Sequence, residues 1–322
     1  MSELEVFAQK PEEGGVWDVI IIGSGPAAFS AGVYTTRGAA STLVLGGEKW
    51  GGQLMLTGDV DNYAGFPDGI SGPELMMNMR KHVERFGAEF IEKNAVKVDF
   101  SSKPFKVSTN EKDYLGRSVI VATGALTKWL DVPGEKELIG KGVSTCAPCD
   151  APFFKEKIVA VVGGGDAAME EANVLTKYAS KVYLIHRRDE FRASPAMQSK
   201  VMNNPKVEIL WNTEVKEVLG TNKVEGLKIV NNKDNSEKEI LIDGVFVAIG
   251  HKPDSDMFKG LLEMDENGYI VNKNFHLKTS VPGVFVAGDV YDKEFKQAIV
   301  SSGLGCVAAM QALKYLETES SS

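Results

Sequence analysis

The chain has 322 residues, enough for about two domains of ordinary size. Hydrophobic residues make up 43% and charged residues 25%, a globular composition that argues against intrinsic disorder. The net charge of -8 argues against nucleic-acid binding, because no strongly basic face is expected.

Membrane and secretory classes are also disfavoured. No apolar run approaches the ~20 residues that cross a bilayer, and the acidic residues 1–15 lack the basic-then-apolar plan of a secretory signal. The 3 cysteines are too few for a structural disulfide framework. We therefore predict a soluble, cytoplasmic protein that binds no membrane.

The first predicted elements are a strand, a glycine-rich turn and a helix. Residues 18–22 are a β-branched apolar run typical of a buried parallel strand, and residues 29–37 form the helix. The turn between them has the pattern G-x-G-x-x-A and consists of Gly23, Ser24, Gly25, Pro26, Ala27 and Ala28. This pattern is typical of dinucleotide binding, because its glycines let backbone N–H groups approach a pyrophosphate at the helix N-terminus. An ordinary strand–turn–helix is the alternative.

The group that would hold a ribose at this first turn is not evident. A dinucleotide site carries an acidic residue ~20 residues after the glycines, but the predicted second strand, residues 42–45, ends in two glycines. Two later glycine-rich loops carry amide side chains, Gln53 beside Gly52 and, further on, Asn62. They could be ordinary loops or could set amides against a flat heterocycle, and composition does not decide between these interpretations.

Two of the three cysteines, Cys146 and Cys149, form a C-x-x-C motif with Asp150 directly after it. Cysteines at this spacing can close a small reversible disulfide, and the aspartate can move a proton. Alone, the motif is ambiguous among a redox dithiol, half of a zinc site and chance. A zinc site is disfavoured, because it needs four ligands and only two thiols are near. The third cysteine, Cys306, is expected to be a buried, inert thiol.

The strand–glycine–helix plan is repeated after the cysteines. Residues 157–162 are an apolar strand and residues 169–178 a helix. Between them the pattern G-x-G-x-x-A recurs as Gly163, Gly164, Gly165, Asp166, Ala167 and Ala168. The repeat predicts a second dinucleotide-binding turn.

The residues after the next strand, 181–185, are basic: His186, Arg187, Arg188 and, a little further on, Arg192. An NAD site carries Asp or Glu at this distance from the glycines, where it binds a ribose hydroxyl. A carboxylate would repel a 2′-phosphate, whereas guanidinium groups bind it bidentately. The sequence therefore predicts NADP rather than NAD. An NADPH site beside another dinucleotide site predicts a flavin, because the hydride needs an acceptor.

The last predicted elements supply an aspartate and a helix. A strand within residues 279–287 leads onto Gly288 and Asp289, and an aspartate at a strand end can accept hydrogen bonds from a ribitol chain. Residues 296–298 open the last helix. The positive end of that helix would stabilise negative charge on a reduced isoalloxazine.

Taken together, these segments resemble one family along nearly the whole chain: the low-molecular-weight, NADPH-dependent thioredoxin reductases of the pyridine nucleotide-disulphide oxidoreductases. Any one segment is weak evidence, but the shared order and spacing make the set highly specific. Besides the two glycine turns, the matching segments are residues 51–54, 122–124, 146–150, 186–188 with Arg192, 250–251, 288–289 and 296–298.

The resemblance implies a fold and an assembly. The fold class is α/β, with two Rossmann-like dinucleotide-binding domains, the FAD domain being discontinuous and the NADPH domain inserted into it. The implied FAD domain comprises residues 1–128 and 255–322, and the implied NADPH domain, residues 129–254, carries the redox-active cysteine pair. A homodimer with one FAD per chain is also implied.

The resemblance also implies an activity. Electrons would pass from NADPH through FAD and the Cys146–Cys149 disulfide to oxidised thioredoxin, which maintains cell redox homeostasis and the removal of reactive oxygen species. In this family the cysteine matched by Cys149 faces the flavin, and the one matched by Cys146 attacks the protein substrate. Asp150 matches the family's proton donor and acceptor.

The cofactor contacts implied by the resemblance fall into two sets, and no metal is expected. The FAD set is Gly23, Ser24, Gly25, Pro26, Ala27, Gly52, Gln53, Asn62, Ala95, Ala122, Thr123, Gly124, Cys149, Gly288, Asp289, Lys296, Gln297 and Ala298. The NADP set is Gly163, Gly165, Asp166, Ala167, His186, Arg187, Arg188, Arg192, Ile249 and Gly250.

The chain departs from the family pattern at three positions. Pro148 stands where threonine, valine or isoleucine is usual, and Ala151 stands where glycine is usual. Lys296 replaces an arginine, which keeps a charge but loses a bidentate fork.

Three other functions fit parts of the pattern. A ferredoxin-NADP reductase of similar architecture has no use for the cysteine pair. A dithiol oxidase that uses oxygen should lack the basic residues 186–188. A non-catalytic NADP-sensing protein predicts no flavin, so a visible spectrum of the purified protein distinguishes it.

Overall fold

The computed structural model describes residues 9–272 and 276–320. Residues 1–8, part of the acidic N-terminal segment discussed above, lie outside the described residues. The chain forms two compact units. The first consists of the residues up to Asp59, Tyr63–Leu126 and the residues from Lys252 onward, and the second of Val60–Asn62 and Thr127–His251.

Strands and helices alternate in both units. The strands are β1 (Val16–Ile22), β2 (Thr42–Leu45), β3 (Asp59–Val60), β4 (Ile70–Ser71), β5 (Glu89–Ile91), β6 (Lys97–Asp99), β7 (Phe105–Ser108), β8 (Asp113–Val121), β9 (Ala125–Thr127), β10 (Val143–Ser144), β11 (Ile158–Val162), β12 (Lys181–Ile185), β13 (Val207–Leu210), β14 (Thr213–Leu219), β15 (Gly226–Asn231), β16 (Glu237–Leu241), β17 (Gly244–Val247), β18 (His251–Pro253) and β19 (Val284–Val286). The α-helices are α1 (Pro26–Arg37), α2 (Gly72–Arg85), α3 (Ala147–Asp150), α4 (Asp166–Leu175), α5 (Pro195–Met202) and α6 (Ala298–Ser320). Short 3-10 turns are Gly52–Leu56, Lys136–Leu138, Ala151–Phe154 and Asp256–Phe258.

The first unit is built on a sheet whose parallel strands have the order β5-β2-β1-β8-β19. The first half of β8 also pairs with β7, in an antiparallel meander that continues to β6. In the parallel register, Ile20 of β1 lies between Leu43 of β2 and Val119 of β8. Because parallel strands end at the same edge, the turns after β1, β8 and β19 meet there.

Both faces of this sheet are buried, as the continuous apolar run of β1 predicts. Val19 and Ile21 belong to the apolar cluster that contains the buried residues of α1 and α6. Ile20 and Ile22 point the other way, into a cluster that includes Phe105. Successive side chains of a strand alternate between faces, so one strand contributes to two cores.

Helix α6 packs against α1 through small residues. Ala308, Ala309 and Ala312 are fully buried. A Cβ at Gly305 would lie 2.1 Å from the carbonyl oxygen of Ala27, so glycine permits the close approach of the two helices.

The same helix passes a simple test for a membrane span. Among the described residues, Ala298–Glu319 is long and apolar enough to cross a bilayer, and its 18-residue apolar window has a mean hydropathy of 1.3 and is 39% buried. The core helix of a soluble protein has the same properties, so this is weak evidence for a membrane. The sequence predicted this last helix, but the expectation that no apolar run approaches ~20 residues overlooked its mean hydropathy, because serine and glycine interrupt the apolar run.

The second unit contains a parallel sheet and a small antiparallel one. The parallel sheet has the order β10-β17-β11-β12-β13, and the antiparallel sheet the order β14-β15-β16. Val159 and Val161 of β11 pack in the cluster that contains α4. Ala160 and Val162 pack on the other face with residues of the antiparallel sheet. The α/β fold class predicted from the sequence is confirmed by this architecture.

Candidate active site

The first glycine turn joins β1 to α1 and is held against the end of β8. Gly23 has a φ of 122°, and a Cβ there would lie 2.1 Å from the carbonyl oxygen of Ala122. Only glycine therefore lets the turn pass this close to the neighbouring strand end. Pro26 opens α1 at a position where its missing N–H costs no helical hydrogen bond.

Ser24 connects three loops at this edge. Its hydroxyl donates to the carbonyl of Gly46 (2.6 Å), just after β2, and accepts from the amide of Gly51 (3.0 Å). The next residue, Gly52, lies opposite the turn, since the position of a Cβ there is 3.9 Å from the Cα of Gly25. The end of β2 thus presents glycine backbone and a serine hydroxyl rather than an acidic side chain.

The other strand ends of the first unit carry further predicted FAD residues. The turn of Ala122, Thr123 and Gly124 directly follows β8, and Gly288 and Asp289 follow β19. Gly288 has a φ of 76°, and a Cβ there would lie 2.9 Å from the Cβ of Ala27. The parallel pairing of β1, β8 and β19 therefore brings these residues to the first glycine turn.

Asp289 is mostly buried beside the start of α6. Its Oδ1 accepts a hydrogen bond from the hydroxyl of Ser301 at 2.9 Å. The pKa of Asp289 is raised to about 6, mainly by burial and in smaller part by the charge of Asp292. A carboxyl held in this way can accept a ligand hydroxyl through its other oxygen.

Three predicted contacts lie outside these strand ends. The amide nitrogen of Gln53 donates to the carbonyl of Ala125 at 2.6 Å. Ala95 lies in the loop after β5 and is partly buried against the apolar cluster of that sheet face. Asn62 belongs to a short segment of the second unit, which also contains Cys149, whereas the other predicted FAD residues lie in the first unit.

The loop before α6 is fixed by Asp292, which no sequence pattern singled out. Its carboxylate accepts from the amides of residues 294–296 at 2.9, 3.0 and 3.3 Å. Lys296 has a φ of 48°, and its Nζ donates to a carbonyl of the same loop. The side-chain amide of Gln297 donates to the carbonyl of Phe295 at 3.3 Å. Ala298 then begins α6.

The second glycine turn joins β11 to α4 and repeats the geometry of the first. A Cβ at Gly163 would lie 2.4 Å from the carbonyl oxygen of Ala248, just after β17. Asp166 and Ala167 open α4 and are exposed, and Oδ1 of Asp166 accepts from the amide of Ser194 at 2.7 Å. The turn is thus packed against a neighbouring strand end, as at Gly23.

The His186 ring packs directly on the second turn. A Cβ at Gly164 would lie 2.1 Å from its Cε1 atom, and Nε2 donates to the carbonyl of Glu190 at 2.9 Å. Burial lowers the pKa of His186, so the imidazole is neutral at pH 7. Its ring also contacts Phe191 and Trp211. The histidine therefore shapes the turn by packing rather than by charge.

The three arginines of the predicted phosphate site are exposed beside this turn. The amide of Arg192 donates to the carbonyl of Gly164 at 2.8 Å, which fixes the basic loop to the second turn. The carbonyl of Arg187 accepts from the side chain of Asn232 at 2.7 Å. Arg188 lies between these two anchored positions. The backbone is thus fixed while the guanidinium groups face solvent.

The remaining predicted NADP residues follow the neighbouring strand of the same sheet. Ile249 and Gly250 come after β17, which pairs in parallel with β11. Ile249 is exposed, and Gly250 has a φ of 106°, which favours glycine. Residues after β11, β12 and β17 therefore meet at one sheet edge.

Cys146 and Cys149 form a disulfide, with an S–S distance of 2.10 Å and a Cα–Cα distance of 5.3 Å. Helix α3 begins directly after Cys146, and the amides of Cys149 and Asp150 donate to the Cys146 carbonyl at 3.2 and 3.1 Å. Both cysteines are partly exposed. Of the alternatives for the C-x-x-C motif, the structure therefore holds the paired form that a redox dithiol requires.

Asp150 is linked to Cys146 through Ser144, a residue that the sequence did not single out. The Ser144 hydroxyl donates to Oδ2 of Asp150 at 2.5 Å and accepts from the amide of Cys146 at 3.1 Å. Burial raises the pKa of Asp150, against the opposing effect of the Ser144 hydrogen bond. A carboxyl that holds its proton closer to neutral pH suits acid–base chemistry beside thiols.

Two of the departures from the family pattern are accommodated locally. Pro148 lies in the first turn of α3, where its fixed φ suits a helix. Ala151 has a φ of −53° and a ψ of −36°, an ordinary helical conformation that does not need glycine. It is also fully buried. Neither substitution distorts the segment that carries the disulfide.

Cys306 was expected to be buried, and this expectation was wrong. The thiol is partly exposed on α6 and lies 4.0 Å from the sulfur of Met310. A hydrogen bond with Cys306 raises the pKa of Tyr34 on α1. The small residues around Cys306 in sequence lie on different faces of the helix, so their apolar character did not predict its burial.

Both glycine turns fit a dinucleotide. Apart from the glycine itself and its chain neighbours, no heavy atom of the described residues lies within 4 Å of the position of a Cβ at Gly25 or at Gly165, the second glycine of each turn. Each turn therefore has open space where a pyrophosphate can approach backbone N–H groups at a helix N-terminus. Asp289 in the first unit and the arginines in the second supply the polar groups that distinguish the two sites.

This site defines a flavin- and nicotinamide-dependent disulfide oxidoreductase. The profile of the pyridine nucleotide-disulphide oxidoreductase family matches residues 17–305. The chain belongs to this family, as the sequence patterns predicted.

Three similar proteins are each named thioredoxin reductase. Thioredoxin reductase 1, mitochondrial, of Arabidopsis thaliana is 48% identical over 313 residues, which cover 92% of this chain and 83% of the relative. The solved thioredoxin reductase from Giardia duodenalis is 41% identical with a TM-score of 0.89, covering 96% of this chain and 100% of the other. That from Streptococcus pyogenes is 39% identical with a TM-score of 0.90, covering 94% and 99%.

Proposed function

We propose that this protein is a thioredoxin reductase, which reduces oxidised thioredoxin with electrons from NADPH. The observation that carries the proposal is the Cys146–Cys149 disulfide, followed by Asp150, in the unit that also holds the arginine-rich dinucleotide turn. The names of relatives at 48% and 41% identity support it. In the cell this activity maintains redox homeostasis and supports the removal of reactive oxygen species.

FAD and NADPH are the cofactors, and we assign one to each unit. The first unit would hold FAD at the turn 23–27, the strand ends after β8 and β19, and Asp289. The second unit would hold NADPH at the turn 163–167, with the 2′-phosphate on the exposed arginines. When bound, FAD supplies the two-electron chemistry that links the nicotinamide hydride to the disulfide. With these assignments, residues 129–254 form the NADPH domain, and residues 1–128 and 255–322 the FAD domain.

The chain's own residues perform the thiol chemistry. Reduction of the Cys146–Cys149 disulfide consumes two electrons and two protons and gives a dithiol. The thiolate of Cys146 attacks one sulfur of the thioredoxin disulfide, forms a mixed disulfide and releases the other thioredoxin sulfur as a thiolate. Cys149 then attacks Cys146 in the mixed disulfide, which restores the enzyme disulfide and releases reduced thioredoxin.

Asp150 handles the protons of this cycle. Its raised pKa keeps a proton available when a thiolate leaves, and its carboxylate can take a proton when a thiol must ionise. Ser144 holds the Asp150 carboxyl and the Cys146 amide at once, so the acid and the attacking cysteine are positioned as one element.

The protein is a homodimer in this proposal. An apolar stripe on the outer face of α6 supports it, because Ile299, Val307 and Met310 are 43%, 37% and 57% exposed at helical spacing. Tyr34 of α1, 44% exposed, extends the same patch. A contiguous exposed patch of this kind is typical of an interface, and a second copy of the chain is the partner. Light scattering should give about twice the chain mass, and Val307→Glu with Met310→Glu should give monomers.

The cytoplasm is the compartment that we propose, because it supplies NADPH and keeps thioredoxin in use as a reductant. One relative is a mitochondrial enzyme, so a fluorescent fusion that localises to an organelle would overturn this assignment. We expect no nucleic-acid or membrane partner, in line with the net charge of -8.

A coupled assay tests the function directly. Purified protein, NADPH and oxidised thioredoxin should consume NADPH at a rate that saturates with thioredoxin, and the same protein should show the visible spectrum of a flavin. NADH should be a much poorer donor. A flavin-containing preparation that oxidises NADPH without any dependence on thioredoxin would overturn the proposal.

A further inference from the structure

Glu171 contacts the segment that carries the disulfide, yet the thiol chemistry derived above makes no use of it. The residue lies on α4, within one turn of the end of the second glycine motif, and its side chain is mostly buried. Its Oε2 accepts a hydrogen bond from the amide of Ala147 at 2.5 Å. Ala147 directly follows Cys146 and is itself fully buried. The carboxyl therefore holds the peptide group next to one of the two redox cysteines.

The charged surroundings of Glu171 are acidic. The pKa of Glu171 is raised to about 8, mainly by burial and in smaller part by the charges of Glu170 and Asp150, against the opposing effect of the Ala147 hydrogen bond. Helix α5 and strand β12, which neighbour α4, carry the cations Lys200 and Lys181. Nζ of Lys181 bonds to Glu208 and Tyr183 rather than to Glu171. No cation is among the groups that perturb Glu171 within the described residues.

The turn that presents Cys146 is thus held by hydrogen bonds on two successive amides. The Cys146 amide donates to Ser144, which in turn donates to Asp150. The Ala147 amide donates to Glu171. Two carboxyl groups, from different elements, therefore hold the same turn, and the charge of Asp150 raises the pKa of Glu171. Any negative charge on Cys146 adds a third acidic group to this cluster.

We propose that Glu171 is a positioning residue of the redox-active dithiol: its carboxyl holds the turn that presents Cys146 and, once ionised, opposes the thiolate on that cysteine. This inference rests on the proposed function, since it assigns Cys146 to thiol–disulfide exchange. Its electrostatic part follows from Coulomb repulsion between two anions on one partly buried turn.

The consequence is a coupled titration. Glu171 and a thiol of ordinary pKa near 8.5 would ionise over the same pH range, so the ionisation of one hinders that of the other. The reactivity of Cys146 should therefore rise with pH over a broad range rather than as a single ionisation. Removal of the Glu171 charge should sharpen this rise and move it to lower pH.

Alkylation of the reduced enzyme measures this directly. Iodoacetamide forms a carbon–sulfur bond with the Cys146 thiolate and releases iodide, and mass spectrometry of the Cys146 peptide gives the rate without interference from Cys306. The flavin-containing enzyme is reduced, freed of reductant under anaerobic conditions and assayed from pH 6 to 10. Because thioredoxin takes no part, a failure of this inference is distinguishable from a failure of the proposed function.

Three variants separate the two parts of the proposal. Glu171→Gln keeps an acceptor for the Ala147 amide and removes the charge, so the midpoint should fall by about 0.5–1 pH unit and the profile should fit one ionisation. Glu171→Asp keeps the charge but withdraws it from the amide, so the broad profile should remain while thioredoxin turnover falls severalfold. Glu170→Gln removes the neighbouring exposed charge and should shift the midpoint much less.

The outcomes are decisive in both directions. A lower, single-step profile for Glu171→Gln together with a broad profile for Glu171→Asp supports the proposal. If Glu171→Gln matches the wild type or Glu170→Gln, the charge has no role and the proposal is overturned. Should Glu171→Gln fail to fold, Glu171→Asp still decides, because a single-step profile in that variant contradicts the proposal.

Discussion

The two glycine turns of this protein have nearly the same backbone and different surroundings. In each, the first glycine packs against the carbonyl of a neighbouring strand end, at 2.1 Å from a Cβ position for Gly23 and 2.4 Å for Gly163. In each, the second glycine, Gly25 or Gly165, faces open space. The strand–turn–helix geometry is therefore shared by the two units, and in each it suits the binding of a pyrophosphate.

The surroundings differ after the strand that follows each glycine turn, which is β2 in the first unit and β12 in the second. After β2 the first unit places glycine backbone that is bonded to the Ser24 hydroxyl. After β12 the second unit places the buried ring of His186 and the exposed Arg187 and Arg188. We therefore propose that the backbone motif selects the class of ligand and that a few side chains after β2 and β12 select the nucleotide.

The largest expected effect comes from replacing Cys149, because electrons from both proposed nucleotide sites reach the protein substrate through the cysteine pair. Cys149→Ser should lower thioredoxin reduction by at least about 10³-fold, because the dithiol cannot be regenerated. Anaerobic NADPH titration should still bleach the flavin absorbance of this variant. Cys306→Ser, which removes the cysteine outside the motif, should retain wild-type turnover. Normal turnover by Cys149→Ser would sink the assignment of the redox pair.

The next largest effect is expected from the arginines after β12, which distinguish the surroundings of the second glycine turn from those of the first. Replacing both Arg187 and Arg188 by alanine should lower kcat/KM for NADPH by about 10²-fold, since two charge-assisted contacts with the 2′-phosphate are lost. The value for NADH, which lacks that phosphate, should change by less than about threefold. Lys216→Ala removes an exposed cation elsewhere in the same unit and serves as the control. Equal losses for both nucleotides would contradict the assignment.

A matched pair of substitutions tests what the turns share. Gly25→Ala and Gly165→Ala each place a methyl group in the open space of one turn, and each position has a negative φ that alanine adopts readily. The first should weaken FAD retention and the second NADPH affinity, each by about tenfold or more, which is ~1.4 kcal/mol. Flavin content and nucleotide titration measure the two effects. A variant that loses both cofactors equally would contradict the separate assignments.

The smallest expected effect concerns the second unit alone. The pKa of Glu171 is about 8 in the folded protein against an ordinary 4.5, so the folded state binds more protons than the unfolded state between these pH values. The free energy of unfolding therefore falls as pH rises through this window. Glu171→Gln should flatten that dependence. The melting temperature of the variant relative to the wild type should be about 2 °C higher at pH 8 than at pH 5. An unchanged pH dependence of melting would show that the carboxyl is not held protonated.

Much of this architecture could be predicted from the sequence, because its signals are local. The apolar strands and the glycines that follow them identified both turns, the α/β class and the family, and these predictions are confirmed. The residue roles assigned to the two cofactors remain predictions.

The contacts that the sequence did not reveal join residues far apart in the chain or carry no motif. Ser301 bonds to Asp289 and Glu171 to Ala147 because tertiary packing brings separate elements together. Cys306 was misjudged because linear neighbours do not share a helix face. The suitability of Ala151 depends on a backbone conformation that only the fold defines.

The most direct test of the central claim is the covalent complex between enzyme and thioredoxin. A Cys149→Ser enzyme is mixed with a thioredoxin that lacks its resolving cysteine and carries its attacking thiol as a 2-nitro-5-thiobenzoate disulfide. Cys146 should displace the nitrothiobenzoate and form a one-to-one mixed disulfide, and peptide mass spectrometry should locate it at Cys146. A complex linked through Cys306, or none at all, would contradict the account.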